Sequence, residues 1–411
     1  MQHTEQRPLR RAWLAALFCF VVAGATGSLL RFGMLGGFPA GLQLLNVRHA
    51  HSHLMYFGWV TPALMALIAA RLPAPPSRGL PRLLAAIIAA SLAAYVSFLL
   101  TGYRPVNIGG SSLPTSTILA GLNVLLWYGF VAIYRRMARG LPRYPWLRLW
   151  DAALGFLVLS SLGAWGLALS NVLGLEDPIW SLALTHLFLD IFADGWFVLA
   201  LLGLAYAALP EAATGRAARW GETLLVAGLP LTFLLSLPAG SVPGAVRWLV
   251  GGAALLVGAG LLANVWALLP AAWEKGRLWL VPLAFLSLKA VAELVMSVPA
   301  GAAWAGSMAL RIPYLHWLLL GFVTLGVIAA AEQRWGRRAV SARPWMVGAV
   351  ILLELSLMPL TLLWPPSWGT AWALQIAAWA SLGPVLVAIV MLVAQSRPQN
   401  REAETTALVE V

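Results

Sequence analysis

Residues 48–62 read RHAHSHLMYFGWVTP, a run of histidines at the start of an apolar segment. His49, His51 and His53 stand on alternate positions, and the whole chain has only six histidines. A segment that merely faces lipid gains nothing from three imidazoles at one end, because polar side chains inside a membrane are costly and usually functional. The stretch therefore predicts a ligand-binding site at the mouth of a membrane-spanning helix.

The composition identifies an integral membrane protein. Of 411 residues, 61% are hydrophobic and 10% are charged, well outside the usual balance of a soluble domain. A spanning helix needs roughly 20 mostly apolar residues. On that basis we expect an all-α fold of about twelve transmembrane helices, in one polytopic membrane domain that covers residues 1–411. The predicted spans are 13–35, 49–72, 81–102, 114–135, 150–173, 180–209, 221–239, 245–269, 277–300, 311–332, 345–364 and 371–395.

The net charge of +12 predicts membrane topology and does not indicate nucleic-acid binding. Of the 27 Lys and Arg residues, 21 lie in the two terminal segments or in the links from even to odd spans. Lys289 lies inside a span, and the other side of the membrane holds only Arg31, Arg48, Arg104, Arg247 and Arg311. Since positive residues stay in the cytoplasm, we expect both termini there and membrane lipid as a partner.

The first apolar segment is expected to be an uncleaved anchor. Its basic start, RPLRRAW, resembles that of a signal peptide, but the apolar run is too long and continues past the small residues of AGATG. The single cysteine, Cys19, excludes an intramolecular disulfide framework and a metal site made only of cysteines.

Three separate spans carry histidines at one predicted depth. In this topology the even-numbered spans run inward, so the first histidines, His186 and His316 all fall near the outer face, in spans two, six and ten. Imidazole is a common ligand of transition metals and haem. The alternative is that histidine simply tolerates helix ends near the lipid headgroups.

Helical geometry separates the three clustered histidines. At about 100° per residue, His49 and His53 share one face, and His51 points in roughly the opposite direction. One helix can thus offer a single imidazole to the bundle interior. Two imidazoles from facing helices are what a six-coordinate haem requires.

The sixth span, LTHLFLDIFADGWFVLALLGL, carries a polar stripe. His186, Asp190 and Asp194 recur every four residues. Carboxylates in a span face the interior and mark proton or ion paths, so Asp190 and Asp194 are candidate catalytic or proton-moving groups. His186 with Asp190 could also be a metal ligand with its carboxylate partner. The alternative is a hydrogen-bond network that only fixes helix packing.

Several other charged residues allow both a structural and a functional interpretation. Lys289 and Glu293, at i and i+4, are expected to neutralise each other, as a structural ion pair or, less favoured, in proton transfer. Glu354 has no assigned role. Arginine binds carboxylates in bidentate geometry, so Arg48, Arg104 and Arg311 are candidate partners for haem propionates. Snorkelling of these side chains to the membrane interface would explain their positions equally well.

The second span resembles a helix of the haem-copper oxidase subunit I superfamily. His51 is followed by Met55, Phe57 and Pro62, a spacing similar to the helix that carries an axial ligand of the low-spin haem. The resemblance implies His316 as the opposing axial ligand, haem b as cofactor, and an electron-donor protein or quinol as partner in a bacterial cytoplasmic membrane.

The sixth span, HLFLDIFAD, is similar to the nitric oxide reductase branch of that superfamily. This resemblance allows copper or non-haem iron as a second metal, for which the candidate ligands are His186, His49 and His53. The NnrS-type membrane haem/copper proteins are a related resemblance, with about twelve spans and a His-Ala-His segment.

The departures from that superfamily shape the functional expectation. The seventh span, GETLLVAGLPLTFLLSLPAG, lacks the expected pair of histidines, and Tyr314 stands where the high-spin haem ligand belongs. We therefore expect electron transfer or redox chemistry related to NO, with a reduced or altered second metal site. The alternatives are a proton-coupled transporter of a small solute and a haem or metal sensor or assembly protein without turnover.

Overall fold

The computed structural model describes residues 6–175, 177–307, 310–336, 340, 342–368 and 372–396. Long apolar helices dominate these residues, as expected for an all-α membrane protein. Their bounds are α1 Arg7–Gly36, α2 Leu44–Arg71, α3 Leu80–Thr101, α4 Thr115–Ala138, α5 Pro145–Leu173, α6 Pro178–Ala208, α7 Arg216–Thr232, α8 Gly244–Glu274, α9 Arg277–Met296, α10 Arg311–Trp335, α11 Arg343–Leu360 and α12 Ala373–Ser396.

Eleven helices among the described residues are long and apolar enough to cross a membrane. Each coincides with one of the predicted spans. The seventh prediction, 221–239, corresponds to α7, which has 17 residues and an internal proline, Pro230. It continues directly into a turn of 3-10 helix, Phe233–Ser236, so the helical segment ends three residues before the predicted span does.

Helices α2, α6 and α10 form the centre of the bundle. The most apolar stretch of α2 is 94% buried and those of α6 and α10 are each 72% buried, against 33–44% for the other spanning helices. The second halves of the three helices pack directly on one another. The remaining helices surround them and present apolar side chains such as Leu100, Trp266 and Leu386 outward. The core is therefore a three-helix centre inside a lipid-facing ring.

Each central helix contains a π-helical segment. The segments are Leu54–Val60 in α2, Ile191–Val198 in α6 and Trp317–Thr324 in α10. Each begins directly after a polar residue of the predicted site: His53, Asp190 and His316. π-Helical turns are rare and occur often at functional sites. Three π segments, each directly after a polar residue of the predicted site, therefore indicate that the three helices share one local structure.

The three π segments share a short sequence pattern and are joined by side-chain hydrogen bonds. They contain GWVT at 58–61, GWFV at 195–198 and GFVT at 321–324. The Trp59 indole donates to Thr324 Oγ1 at 3.1 Å, and the Trp196 indole donates to Thr61 Oγ1 at 3.4 Å. Buried indole N–H groups need a partner, and here each partner lies on a neighbouring central helix. These two bonds fix the positions of α2, α6 and α10 relative to one another.

Short elements cover the end of the bundle at which α2, α6 and α10 begin, which we call the histidine end. A hairpin of two strands, β1 Val106–Ile108 and β2 Ser111–Leu113, follows α3, with Val106 opposite Leu113. A short helix, Pro299–Ser307, precedes α10. Neither element was predicted from the sequence, because both are too short to produce a clear hydrophobic period.

Helix α5 gives a test of the packing around α6. A Cβ on Gly163 would lie 2.4 Å from the Leu184 carbonyl oxygen and 2.6 Å from the Phe188 nitrogen, and backbone atoms cannot move aside cheaply. We expect Gly163→Ala to lower stability by about 1–3 kcal/mol, seen as a lower unfolding temperature in detergent. Gly155, on the same helix, has no atom within 4 Å of such a Cβ, so Gly155→Ala is the matched control. Equal melting of both variants would contradict this packing.

Candidate functional site

His51 is held by helix α1 through its Nδ1 atom. This nitrogen lies 2.7 Å from the Ala23 carbonyl oxygen, which accepts its hydrogen. The absence of a side chain at Gly27 makes room for the ring, because a Cβ there would lie 2.8 Å from His51 Cε1. The bond fixes the tautomer, so Nε2 carries the lone pair and can bind a metal. Nε2 has no hydrogen-bond partner among the described residues.

His316 is oriented in the same way on α10. Its Nδ1 lies 2.8 Å from the Ile312 carbonyl oxygen, one turn earlier in the helix, which again leaves Nε2 as the free nitrogen. The ring is half-buried, as is that of His51. His316 lies within electrostatic range of His51.

Arg31 and Glu354 adjoin this histidine pair and were not assigned to it from the sequence. Arg31, on α1, lies within electrostatic range of both His51 and His316. Glu354, on α11, is buried and lies within range of Arg31. Neither oxygen of Glu354 has a hydrogen-bond partner in the described part of the chain. The only sequence signal for Arg31 is that a charged residue stands inside an apolar span.

The residues around His51 and His316 fit the requirements of a haem better than those of a bare metal ion. Two imidazoles on different helices keep Nε2 available, and each Nδ1 donates to a backbone carbonyl, as is usual for metal-ligating histidines. Arg31 supplies a positive charge for an anionic group beside them. No group of three or more His, Cys, Asp or Glu side chains within the described ranges could hold a metal ion.

His49 and His53 lie on the other face of α2, against α3. The ring centroids of His53 and Phe98 lie 4.0 Å apart, and those of His49 and Tyr103 lie 4.8 Å apart in an edge-on contact. His53 Nδ1 lies 3.0 Å from the His49 carbonyl oxygen. The two faces predicted from helical spacing are therefore seen, with His51 directed toward α1 and the other two packed among aromatic rings.

His186 and Asp190 form a hydrogen-bonded pair near the start of α6. His186 Nδ1 lies 2.9 Å from Asp190 Oδ2, and Ser236 Oγ donates to the same oxygen at 2.8 Å. An Arg311 nitrogen lies 3.3 Å and 3.2 Å from the two ring nitrogens of His186. The guanidinium therefore lies against the imidazole, and α10 is tied to α6 at this point.

The three arginines proposed for propionates lie apart from His51 and His316. Arg311 is engaged by His186, and Arg104 donates to Gln43 Oε1 at 2.5 Å in the loop before α2. Arg48 is exposed and lies near His49 and Tyr103. No side-chain hydrogen bond among the described residues joins these three arginines to His51 or His316. Arg31 has the position that the sequence interpretation gave to them.

Asp194 belongs to a second polar group, which we call the Lys289 cluster: Asp194, Lys289, Glu293 and Tyr314. Lys289 Nζ donates to Glu293 Oε1 at 2.7 Å, to Tyr314 Oη at 2.6 Å and to Asp194 Oδ2 at 3.2 Å. Tyr314 in turn donates to Glu293 Oε1 at 3.0 Å. The predicted Lys289–Glu293 pair is present, and α6 and α10 add two partners that the sequence did not reveal.

Comparison with known proteins does not assign a family. No protein-family model matches the sequence, and no curated protein shows significant similarity to it. The residues that can carry a function are the His51–His316 pair and the Lys289 cluster.

The Lys289 cluster predicts a large stability effect. Replacing Lys289 by Met leaves Asp194 and Glu293 buried without their cation, and breaking a buried pair typically costs about 3–5 kcal/mol. We expect Lys289→Met to lower the unfolding temperature in detergent strongly. Lys275 also pairs with a carboxylate, Glu211, at 3.1 Å, but both side chains are largely exposed. Lys275→Met is therefore the matched control and should melt like the parent. Equal losses in both variants would contradict the buried pairing.

Proposed function

We propose that this chain is an integral membrane haem b protein whose axial ligands are His51 and His316, and that its activity is electron transfer. One observation carries the proposal. Two imidazoles on two central helices come within electrostatic range of each other, and each is oriented by a backbone carbonyl so that Nε2 is free. His51 and His316 together would hold a haem iron without leaving a coordination position for a substrate, which favours electron transfer over catalysis.

The chain's own residues would perform three tasks around a bound haem. The carbonyl groups of Ala23 and Ile312 hold the imidazole N–H groups and so leave both Nε2 atoms free to bind an iron. Arg31 would offer a cation to the propionate groups. The buried side chains of the π segments, among them Met55 and Phe322, would supply an apolar environment. The haem supplies the one-electron redox chemistry when it is bound.

The proposed membrane orientation follows from the distribution of charged residues. Positive residues concentrate at the end of the bundle opposite to the histidine end, so both termini would lie in the cytoplasm of a bacterium and the histidines near the outer face. The electron donor would be a protein or a quinol that approaches the membrane. NO-related redox chemistry would need a second metal beside the haem.

Haem content tests the central proposal. We expect purified protein to show a b-type spectrum in the reduced-minus-oxidised difference, and His51→Ala and His316→Ala each to abolish most bound haem because one axial bond is lost. His53→Ala is the matched control, since it removes an imidazole two residues from His51 that packs on Phe98, and haem should be retained. Metal analysis is made on the same samples.

Each other outcome has a defined meaning. A well-folded parent protein without haem would overturn the proposal and favour a proton-coupled transporter, for which the charged groups on α6 and α9 would be the candidates. Haem that survives both His51→Ala and His316→Ala would place the ligands elsewhere. Equimolar copper or non-haem iron beside haem would favour catalysis over electron transfer.

Membrane orientation can be tested with single cysteines. Arg78, between α2 and α3, and Ser112, in the hairpin after α3, are both exposed and lie at opposite ends of the bundle. With Cys19 buried, a membrane-impermeant maleimide should label Ser112→Cys in intact cells and Arg78→Cys only after the cells are broken. The reverse labelling pattern would invert the proposed topology.

A further inference from the structure

The charges of the Lys289 cluster do not balance. One ammonium faces two carboxyl groups, with 1% of Lys289, 2% of Glu293 and 8% of Asp194 exposed. An uncompensated charge inside an apolar bundle is strongly unfavourable, and a buried carboxyl group relieves it by binding a proton. The cluster becomes neutral when exactly one of its two carboxyl groups is protonated.

The hydrogen bonds indicate which carboxyl group remains ionised. An ammonium group has three donors, and all three of Lys289 are used, on Glu293, Tyr314 and Asp194. Glu293 Oε1 accepts two of the cluster's hydrogen bonds, from Lys289 at 2.7 Å and from Tyr314 at 3.0 Å. Donors to a carboxylate stabilise its charged form. Glu293 is therefore the natural anion beside Lys289.

Asp194 has the weaker support for a negative charge. Both of its oxygens lie 3.2 Å from Lys289 Nζ, farther than the 2.7 Å between Lys289 Nζ and Glu293 Oε1, and no second donor reaches Asp194 among the described residues. Asp190, four residues earlier on α6, and Glu293 add like charge. We infer that Asp194 is a buried proton-binding site, which holds one proton at rest and exchanges it with the histidine end through Asp190.

The surroundings of Asp194 define the route. Toward the histidine end, Asp190 is half-buried and contacts His186 and Ser236. Tyr56, on α2, lies within electrostatic range of Asp190, Asp194 and Arg311. The ionisable groups within electrostatic range of Asp194 are Lys289, Glu293, Asp190, Tyr56 and Tyr314. Asp190 in turn contacts His186, against which Arg311 lies.

The exchange is a proton transfer alone. The O–H bond on Asp194 breaks, the proton passes to the Asp190 carboxylate, and no electron or co-reactant takes part. No haem atom is involved, so the inference goes beyond the proposed function and does not depend on it.

Infrared spectroscopy of the purified full-length protein tests the proton on Asp194. A protonated carboxyl group gives a C=O stretching band that moves when H₂O is replaced by D₂O. We expect such a band in the parent protein and its loss in Asp194→Asn, where Glu293 alone balances Lys289. Glu293→Gln should also abolish the band, because Asp194 then ionises beside Lys289. Glu354→Gln is the control at a buried carboxyl group outside the cluster and should leave the Asp194 band in place.

Two conservative variants assign the proton to one residue. Asp194→Glu should move the band, because the vibration belongs to the substituted group, whereas Glu293→Asp should leave its position unchanged. The opposite pattern would place the proton on Glu293 and overturn the inference. A parent spectrum identical to that of Asp194→Asn would show that neither carboxyl group holds a proton.

The route through Asp190 has its own readout. After rapid transfer into D₂O, the band of the Asp190→Asn variant should shift several-fold more slowly than that of the parent, since the relay carboxylate is missing. Asp151→Asn, at an exposed pair with Arg143, is the control and should exchange at the parent rate. An unchanged rate in Asp190→Asn would exclude this route.

Discussion

Every polar group in the hydrocarbon part of a membrane must find its partner within the protein, since lipid offers neither donors nor acceptors. In this chain that constraint acts on α2, α6 and α10, which have the most deeply buried apolar stretches and also bear the polar groups of the histidine end. The imidazoles of His51 and His316 meet backbone carbonyls, His186 meets Asp190, and Asp194 meets Lys289. The surrounding helices α1 and α9 supply two of these partners, Ala23 and Lys289. The candidate functional site is therefore built on the same three helices as the core of the bundle.

The π segments explain how three buried helices can present polar groups inward at the same level. Each segment starts directly after a site residue, so the regular spacing of side chains changes at that point. On α6 the change falls between Asp190 and Asp194, which consequently meet different partners, Ser236 and Lys289. The indoles of Trp59 and Trp196 bond to threonines on neighbouring helices and hold this arrangement in place.

Much of the fold could be predicted from the sequence, because long apolar runs report directly on spanning helices. The exception, α7, contains Pro230 and ends after 17 residues, which an apolar count over 221–239 does not reveal. Relations between residues of one helix could be predicted equally well. The opposite faces of His51 and His53, and the Lys289–Glu293 pair, follow from helical spacing.

The missed contacts join residues far apart in the chain. Lys289 meets Asp194 across 95 residues, and Arg311 meets His186 across 125. Arg31 on α1 and Glu354 on α11 lie within electrostatic range of each other. A single sequence contains no signal for such pairs, because helix periodicity describes only neighbours within the same helix. It also assumes a regular helix, so the change of spacing between Asp190 and Asp194 could not be foreseen.

Helix α10 connects the two groups at the histidine end. Tyr314 and His316 are two residues apart, which places them on nearly opposite faces of a helix. Tyr314 accordingly joins the Lys289 cluster, whereas His316 lies within electrostatic range of His51 and Arg31. Arg311, one turn before, contacts His186. Because all three side chains extend from the first turns of one helix, a small rotation or shift of that helix alters the contacts of the histidine pair, the His186–Asp190 pair and the Lys289 cluster together. A change of charge in any one of them thus acts on a shared structural element, and such coupling is reciprocal.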